Sequence, residues 1–244
     1  MLNKIKSAPG RKKTTFSILA LVLGISLVFY PYAIVKGQEA FVTDRKIVID
    51  AGHGGRDPGS TQCPGLYESV ANFQIAELLQ AMLMDAGATV YMTRDMDGNG
   101  EDDLADDETL TNADRYTYAN STNSDVLLSI HLNGSLDHTK NGTLGLYSMW
   151  RKDKEFASIL HERLADELNV PDLGIYQFMS GVTMRFNGPA SIQESVYISN
   201  TEECTALTDG TGNRQQQIAE SLYNGLNDWF SAEREVFISP GQLK

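Results

Sequence analysis

Positive charge is what this chain has least of. Its 20 Lys and Arg stand against 32 Asp and Glu, a formal net charge of −12 over 244 residues. Nucleic acid is thereby excluded as a partner, because binding phosphate draws on clustered cations. Lys4, Lys6, Arg11, Lys12 and Lys13 fall within the first 35 residues, which hold no acidic side chain, so 20 − 5 leaves 15 cations against 32 anions, or −17, for the remainder. Cysteine is scarcer still. Cys63 and Cys204 are the only two, which excludes a disulfide-dense scaffold and leaves open one bridge or two free thiols, both residues being placed in loops; free thiols are the favoured reading. No internal repeat is present, which excludes a solenoid.

Long apolar runs are also absent, with one exception. Phe16 to Val35 is interrupted only by Ser17, Gly24, Ser26 and the Tyr30-Pro31-Tyr32 group, close to the roughly 20 residues that span a bilayer. The basic residues before it place the N-terminus in the cytoplasm and the rest outside. Val35-Lys36-Gly37 is a poor cleavage site, so an uncleaved anchor is favoured over a signal peptide. The expected organisation is a basic cytoplasmic segment over 1–15, an anchor or signal peptide over 16–35, a linker over 36–45, one folded domain over 46–231 and a tail over 232–244. Its location is extracytoplasmic, membrane-anchored or secreted.

Within the domain two stretches share a design. KIVIDAGH, Lys46 to His53, and DVLLSIH, Asp125 to His131, are apolar runs that end in histidine and pass into glycine-containing turns. That is the pattern of strands buried on both faces. In open parallel sheets the loops at the carboxyl ends form the ligand crevice, so both imidazoles belong there. A helix beginning at Glu68 repeats Ala71, Ile75, Leu78, Leu79, Met82, Leu83 and Ala86 on one face and is closed by Gly87. With Ala88 to Thr93 as the next strand, a parallel strand-helix-strand unit is expected. Further helices are expected over 111–120, over 153–168 and from a Thr211 cap to near Phe230, with extended segments over 144–150, 179–185 and 190–198. The fold class expected is α/β, a single domain with a mixed, mostly parallel central sheet of about six strands flanked by helices and preceded by the membrane segment.

A catalytic zinc takes three protein ligands and keeps a fourth position open. His53, Glu68 and His131 can supply them, Glu68 from the first turn of the crossover helix. The alternative, two polar loop histidines, is not excluded by pattern alone. His138 in a polar loop and His161 on a helix are discounted as ligands.

The segments IVIDAGHGGRDPG, YESVAN, TRD, SIHLNGS, GPASIQES and YISN, in that order, resemble the zinc-dependent N-acetylmuramoyl-L-alanine amidases of the amidase_3 type, cell-wall hydrolases. The match runs from about Ile47 to Phe230. The resemblance implies zinc ligands at His53, Glu68 and His131, a catalytic glutamate at Glu194, peptidoglycan as substrate, and cleavage of the amide between N-acetylmuramic acid and L-alanine. Strand alternation places Glu194 on one face with Ile192, Val196 and Ile198. The sequence departs from the family pattern at Val196, where glycine is usual, at Tyr197 for Phe, and in a shortened segment before Pro189. Arg94, Arg115 and Asn133 match positions often filled in the family, as scaffold or as substrate contacts. Two other readings stay open: a zinc peptidase acting on stem peptides, and a non-catalytic wall-binding or regulatory protein. An unidentified activator is a further candidate partner.

Finally, Asp95, Asp97, Asn99, Gly100 and Asp106 follow the spacing of a calcium loop, with Asp in the last place instead of Glu. A solvated acidic loop is the favoured reading over Ca2+ binding.

Overall fold

A computed structural model describes residues 39–96, 102 and 110–238. The basic segment, the apolar run 16–35 and the last residues of the tail lie outside them. Among the described residues no helix is long and apolar enough to cross a membrane. Residues 39–45, expected to be linker, pack onto the domain instead: Val42 is fully buried and the Phe41 N–H donates to Asn227 Oδ1 at 2.6 Å.

The chain alternates strands and helices: β1 Lys46–Ala51, α1 Glu68–Asp85, β2 Thr89–Met92, α2 Asn112–Ser121, β3 Val126–Asn133, β4 Thr143–Tyr147, α3 Arg151–Glu167, β5 Asp172–Gln177, α4 Gly181–Arg185, β6 Ala190–Tyr197, α5 Thr201–Thr208 and α6 Asn213–Ile238. The six strands form one sheet in the order β2-β1-β3-β6-β4-β5. β1, β2, β3 and β6 run parallel to one another, and β4 and β5 run the other way, β4 pairing antiparallel with β6. A mixed, mostly parallel six-stranded α/β domain is therefore what the expected pattern produces.

Three expectations are corrected. Residues 179–185 are not extended, because the Ser180 hydroxyl accepts from the Val182 N–H at 3.3 Å and starts the short helix α4. β5 and α5 appear where no element was expected. α6 runs on to Ile238, past the expected end near Phe230.

The period-two alternation divides the sheet into two unequal sides. Ile47, Ile49, Leu128, Ile130 and Leu132 face a large core built with α1, α3 and α6, where Leu79, Phe156, Leu222 and Phe230 are wholly buried. Val48, Leu127 and Ala190 face a small cluster with Ala119 of α2 and Val182 and Phe186 of α4. Asp50, Ser129 and His131 alternate with the first set and so lie on the thinner side.

β6 departs from strict alternation. His131 pairs with Glu194, but Asn133 pairs with Tyr197, so three steps of β6 oppose two of β3. This is a bulge, and it reverses the side on which later residues point. Ile192 and Glu194 stay on the thinner side while Val196 and Ile198 enter the large core, both fully buried. The expectation that all four share a face is thereby overturned. Val196, standing where the family pattern has glycine, fills core volume.

Candidate active site

The site is assembled where β1, β3 and β6 end. β1 terminates in Ala51-Gly52-His53, and His53 adopts a left-handed φ of 62°, a conformation that costs a non-glycine residue about 1 kcal/mol or more. Two buried arginines hold it there. Arg115, from α2, forms an ion pair with Asp50 at 2.7 Å and donates to the Ala51 carbonyl at 2.9 Å and the His53 carbonyl at 2.6 Å. Arg94 donates to the carbonyls of Ser69 at 2.8 Å and Gly52 at 3.4 Å and pairs with Asp102. At 2 % and 4 % exposure respectively, Arg94 and Arg115 serve as scaffold, each spent on backbone carbonyls and one carboxylate. Asp50 accepts further hydrogen bonds from Thr93 and Ser129. Burial alone would raise its carboxyl, but the Arg115 charge and these bonds outweigh it and hold the pKa low.

Glu68 opens α1. The helix has no side-chain cap. Instead the preceding loop folds over its start, and the N–H groups of Glu68 and Ser69 donate to the carbonyls of Ser60 and Pro58, both at 3.1 Å. This satisfies two donors that a helix start leaves unpaired. The same loop grips the side chain through the Ser60 N–H, which donates to Glu68 Oε2 at 2.8 Å, and β3 adds the Leu132 N–H, which donates to Oε1 at 3.2 Å.

His53 Nε2 lies 3.1 Å and His131 Nδ1 3.2 Å from Glu68 Oε1, and the imidazoles meet edge to face with centroids 4.8 Å apart. Two nitrogens and one oxygen thus converge within 4.8 Å, the only grouping of three or more ligand-type side chains among the described residues. This donor set fits a cation of the zinc class. Burial disfavours the charged form of His53, yet hydrogen bonds and charge from Glu68 and Asp57 outweigh it and push its pKa up to about 9. Burial likewise would raise Glu68, but the two imidazoles hold it well below the usual carboxylate range. A cation that takes up the His53 nitrogen therefore has to displace its proton.

Glu194 stands in register beside His131. Its Oε2 is buried and has no hydrogen-bond partner. Burial raises its pKa, His131 and His53 oppose the rise, and Glu68 adds to it. A carboxylate left unpaired beside a ligand cluster is poised to exchange a proton.

Three contributors were not singled out in the sequence. Asp57 Oδ2 lies 2.8 Å from His53 Nδ1, fixing the ring so that Nε2 faces Glu68. Gly52 leaves room for His131, whose ring atoms lie 2.2–2.7 Å from where a Cβ would stand. Gly59, at φ +64°, sits where a Cβ would lie 2.7 Å from both Glu68 Oε2 and His53 Cδ2. The glycine-rich run HGGRDPG was the available signal, but which glycine faces which ligand is a tertiary fact.

The favoured reading of Cys63 and Cys204 as free thiols is overturned. They form a disulfide across Cα atoms 5.4 Å apart, and Cys204 lies on α5, which Asn200 caps directly after β6. The bridge ties the loop that grips Glu68 to the segment following Glu194. The discounted histidines are engaged elsewhere, His138 with the Ser199 carbonyl and His161 with Asp172, each at 2.6 Å. Of the calcium-loop candidates, Asp97, Asn99 and Asp106 lie outside the described residues. Asp95 is described and buried, and Asp102, at the eighth place, is committed to Arg94.

The candidate site thus lies on the carboxyl edge of a mixed α/β sheet, and its donor set is of the kind that metal-dependent hydrolases use. The family model described as N-acetylmuramoyl-L-alanine amidase matches residues 47–228, and the chain belongs to that amidase family. It is 25% identical over 209 residues to the uncharacterized protein YqiI of Bacillus subtilis, covering 85% of this chain and 94% of that one. It is 31% identical over 194 residues to the probable cell wall amidase LytH of Staphylococcus saprophyticus, covering 77% of this chain and 59% of that one. This chain spans only 34% of the putative amidase YrvJ of Bacillus subtilis. Among solved structures, the catalytic domain of the amidase CwlV from Bacillus (Paenibacillus) polymyxa superposes with a TM-score of 0.67 at 28% identity, over 77% of this chain and 98% of that one. An N-acetylmuramoyl-L-alanine amidase from Clostridium difficile 630 gives 0.67 at 27% identity, over 82% and 100%.

Proposed function

We propose that this chain hydrolyses the amide between the lactyl group of N-acetylmuramic acid and L-alanine in peptidoglycan, with Zn2+ held by His53, Glu68 and His131 and with Glu194 as general base. The observation that carries the proposal is the orphaned Glu194 Oε2 beside three convergent ligand atoms. When bound, zinc supplies Lewis-acid polarisation of the carbonyl and lowers the pKa of a coordinated water.

The chain's own residues do the remaining work. Asp57 and the Arg115 contact at the His53 carbonyl orient one imidazole, and β3 orients the other. Glu194 Oε2 takes the proton of the attacking water and returns it to the amide nitrogen as the carbon–nitrogen bond breaks. The products are a lactyl carboxylate and the free amine of alanine. Glu194 has to carry that proton between the two halves of the cycle. Intact ligands and an unblocked Glu194 favour catalysis over wall binding alone. Zinc is the one cation in the proposal.

We propose that the enzyme acts at the cell envelope facing the wall; the apolar run 16–35 supports an uncleaved anchor. The test is digestion of purified peptidoglycan by the full chain, scoring new amino termini and new reducing ends. N-terminal alanine without reducing ends, abolished by a zinc chelator and restored by Zn2+, is expected. Other amino termini would instead identify a stem-peptide peptidase, and no release from zinc-loaded protein would refute unaided catalysis. Full turnover by the purified chain alone would dispense with an activator.

A further inference from the structure

Among the described residues, the layer covering the Glu194 side of the sheet stops short. α2 and α4 cover Val48, Leu127 and Ala190, whereas the helix packed on β4 and β5 is α3. α3 lies on the opposite face: Gly145 pairs with Gln193, and Gln193 Nε2 donates to the Ala157 carbonyl of α3 at 3.2 Å. The neighbouring registers point the other way. Leu144 pairs with Glu194 and Leu146 with Ile192, and Tyr176 of β5 pairs with Leu146. Residues paired across strands share a face, so these side chains form a strip that starts at Glu194 and crosses to the sheet edge. Phe178 prolongs it, its N–H donating to the Tyr147 carbonyl at 2.8 Å. Leu144 and Leu146 are half-buried, while Tyr176 and Phe178 are 56% and 53% exposed.

We propose that this strip holds the glycan strand of the substrate, with Tyr176 and Phe178 stacking on the apolar faces of N-acetylated sugar rings beyond the one attacked. The inference rests on the amidase reading, since only there is the scissile bond attached to a sugar. Strand spacing of about 4.8 Å and a rise of about 3.3 Å per residue put the Tyr176 Cα about 12 Å from that of Glu194, a reach that a short oligosaccharide covers. Ile192 is buried beneath the strip, and none of the four more accessible side chains, Leu144, Leu146, Tyr176 and Phe178, is charged. That suits neutral sugars carrying N-acetyl methyls and offers nothing to the charged groups of a stem peptide. β5 runs opposite to β6, so Tyr176 lies level with Ile192 and Phe178 further from the carboxyl edge; exposed aromatic rings on such a sheet face are a usual mark of a binding surface.

The test is binding of peptide-free glycan oligosaccharides, six or more sugars long, to the full zinc-loaded chain by titration calorimetry, beside the Tyr176→Ala/Phe178→Ala double variant. Both side chains are more than half exposed, so the variant is expected to keep the wild-type melting temperature. About tenfold or greater weakening of glycan binding is expected, from two lost stacking contacts. Free stem peptide should not compete. On polymeric peptidoglycan the variant should raise KM with little change in kcat, and on a single muramoyl-peptide it should match the wild type. Unchanged glycan affinity, competition by stem peptide, or loss of a self-associated form without loss of glycan binding would each overturn the proposal. Failure of the amidase reading is distinguishable, because it would show as glycan binding without release of alanine termini.

Discussion

Gly52→Ala is the sharpest probe of how the site is packed. The added Cβ would stand 2.2 Å from His131 Nε2, 2.3 Å from Cε1 and 2.7 Å from Cδ2. With ordinary contact starting near 3.4 Å, the ring must retreat by 3.4 − 2.2 = 1.2 Å or more. The backbone cannot yield in its place, since the Gly52 N–H donates to the Ile130 carbonyl at 3.0 Å and its own carbonyl accepts from Asn72 and Arg94. His131 is free to move outward, its side chain being 20% exposed. The fold should therefore survive, with a stability change below about 1 kcal/mol. A displacement near 1 Å in a catalytic constellation costs on the order of 10²-fold in rate. The assay is kcat/KM on peptidoglycan together with zinc affinity by chelator competition, on protein of unchanged melting temperature. Wild-type turnover and zinc affinity in Gly52→Ala would refute the placement of His131 in the site.

Other perturbations separate the supporting parts. Asp57→Ala removes the partner of His53 Nδ1 and should weaken zinc binding about 10- to 100-fold, measured by chelator competition; unchanged affinity would show that Asp57 does not orient the ring. Arg115→Met leaves Asp50 buried and unpaired and should cost about 3–5 kcal/mol in urea unfolding, and adding Asp50→Asn should recover part of that loss. Replacing Cys63 and Cys204 together by serine should cost about 2–5 kcal/mol; equal unfolding midpoints for the double variant and the oxidised wild type would contradict a stabilising bridge.

The strands that carry ligands were legible because they are extreme in composition. KIVIDAGH and DVLLSIH are apolar runs broken at a histidine, and burial on both faces is the environment such runs require. α1, α3 and α6 were legible from their period, since each turns one face to a large core. β5 was hidden because it is a half-exposed edge strand with Gly174 in the middle at φ 81°, so neither alternation nor apolar density marks it. α4 spans five residues and α5 eight, too short for a helical period to emerge. The bulge in β6 could not be read from one strand, because it exists only relative to β3. The same holds for the disulfide, for Asp57 and for the space beside Gly52, each of which is a distance between segments remote in sequence or turned by unusual backbone angles.

In the proposed mechanism one constellation divides its labour, His53, Glu68 and His131 holding the cation and Glu194 moving the proton. The most direct measurement is the zinc content and the turnover of Glu194→Gln, prepared beside the wild type and assayed at full metal loading. One equivalent of zinc held with wild-type affinity is expected, with release of N-terminal alanine slowed about 10²- to 10⁴-fold. Turnover within about threefold of the wild type at full loading would contradict the role of Glu194, and loss of zinc along with turnover would make Glu194 part of the metal site.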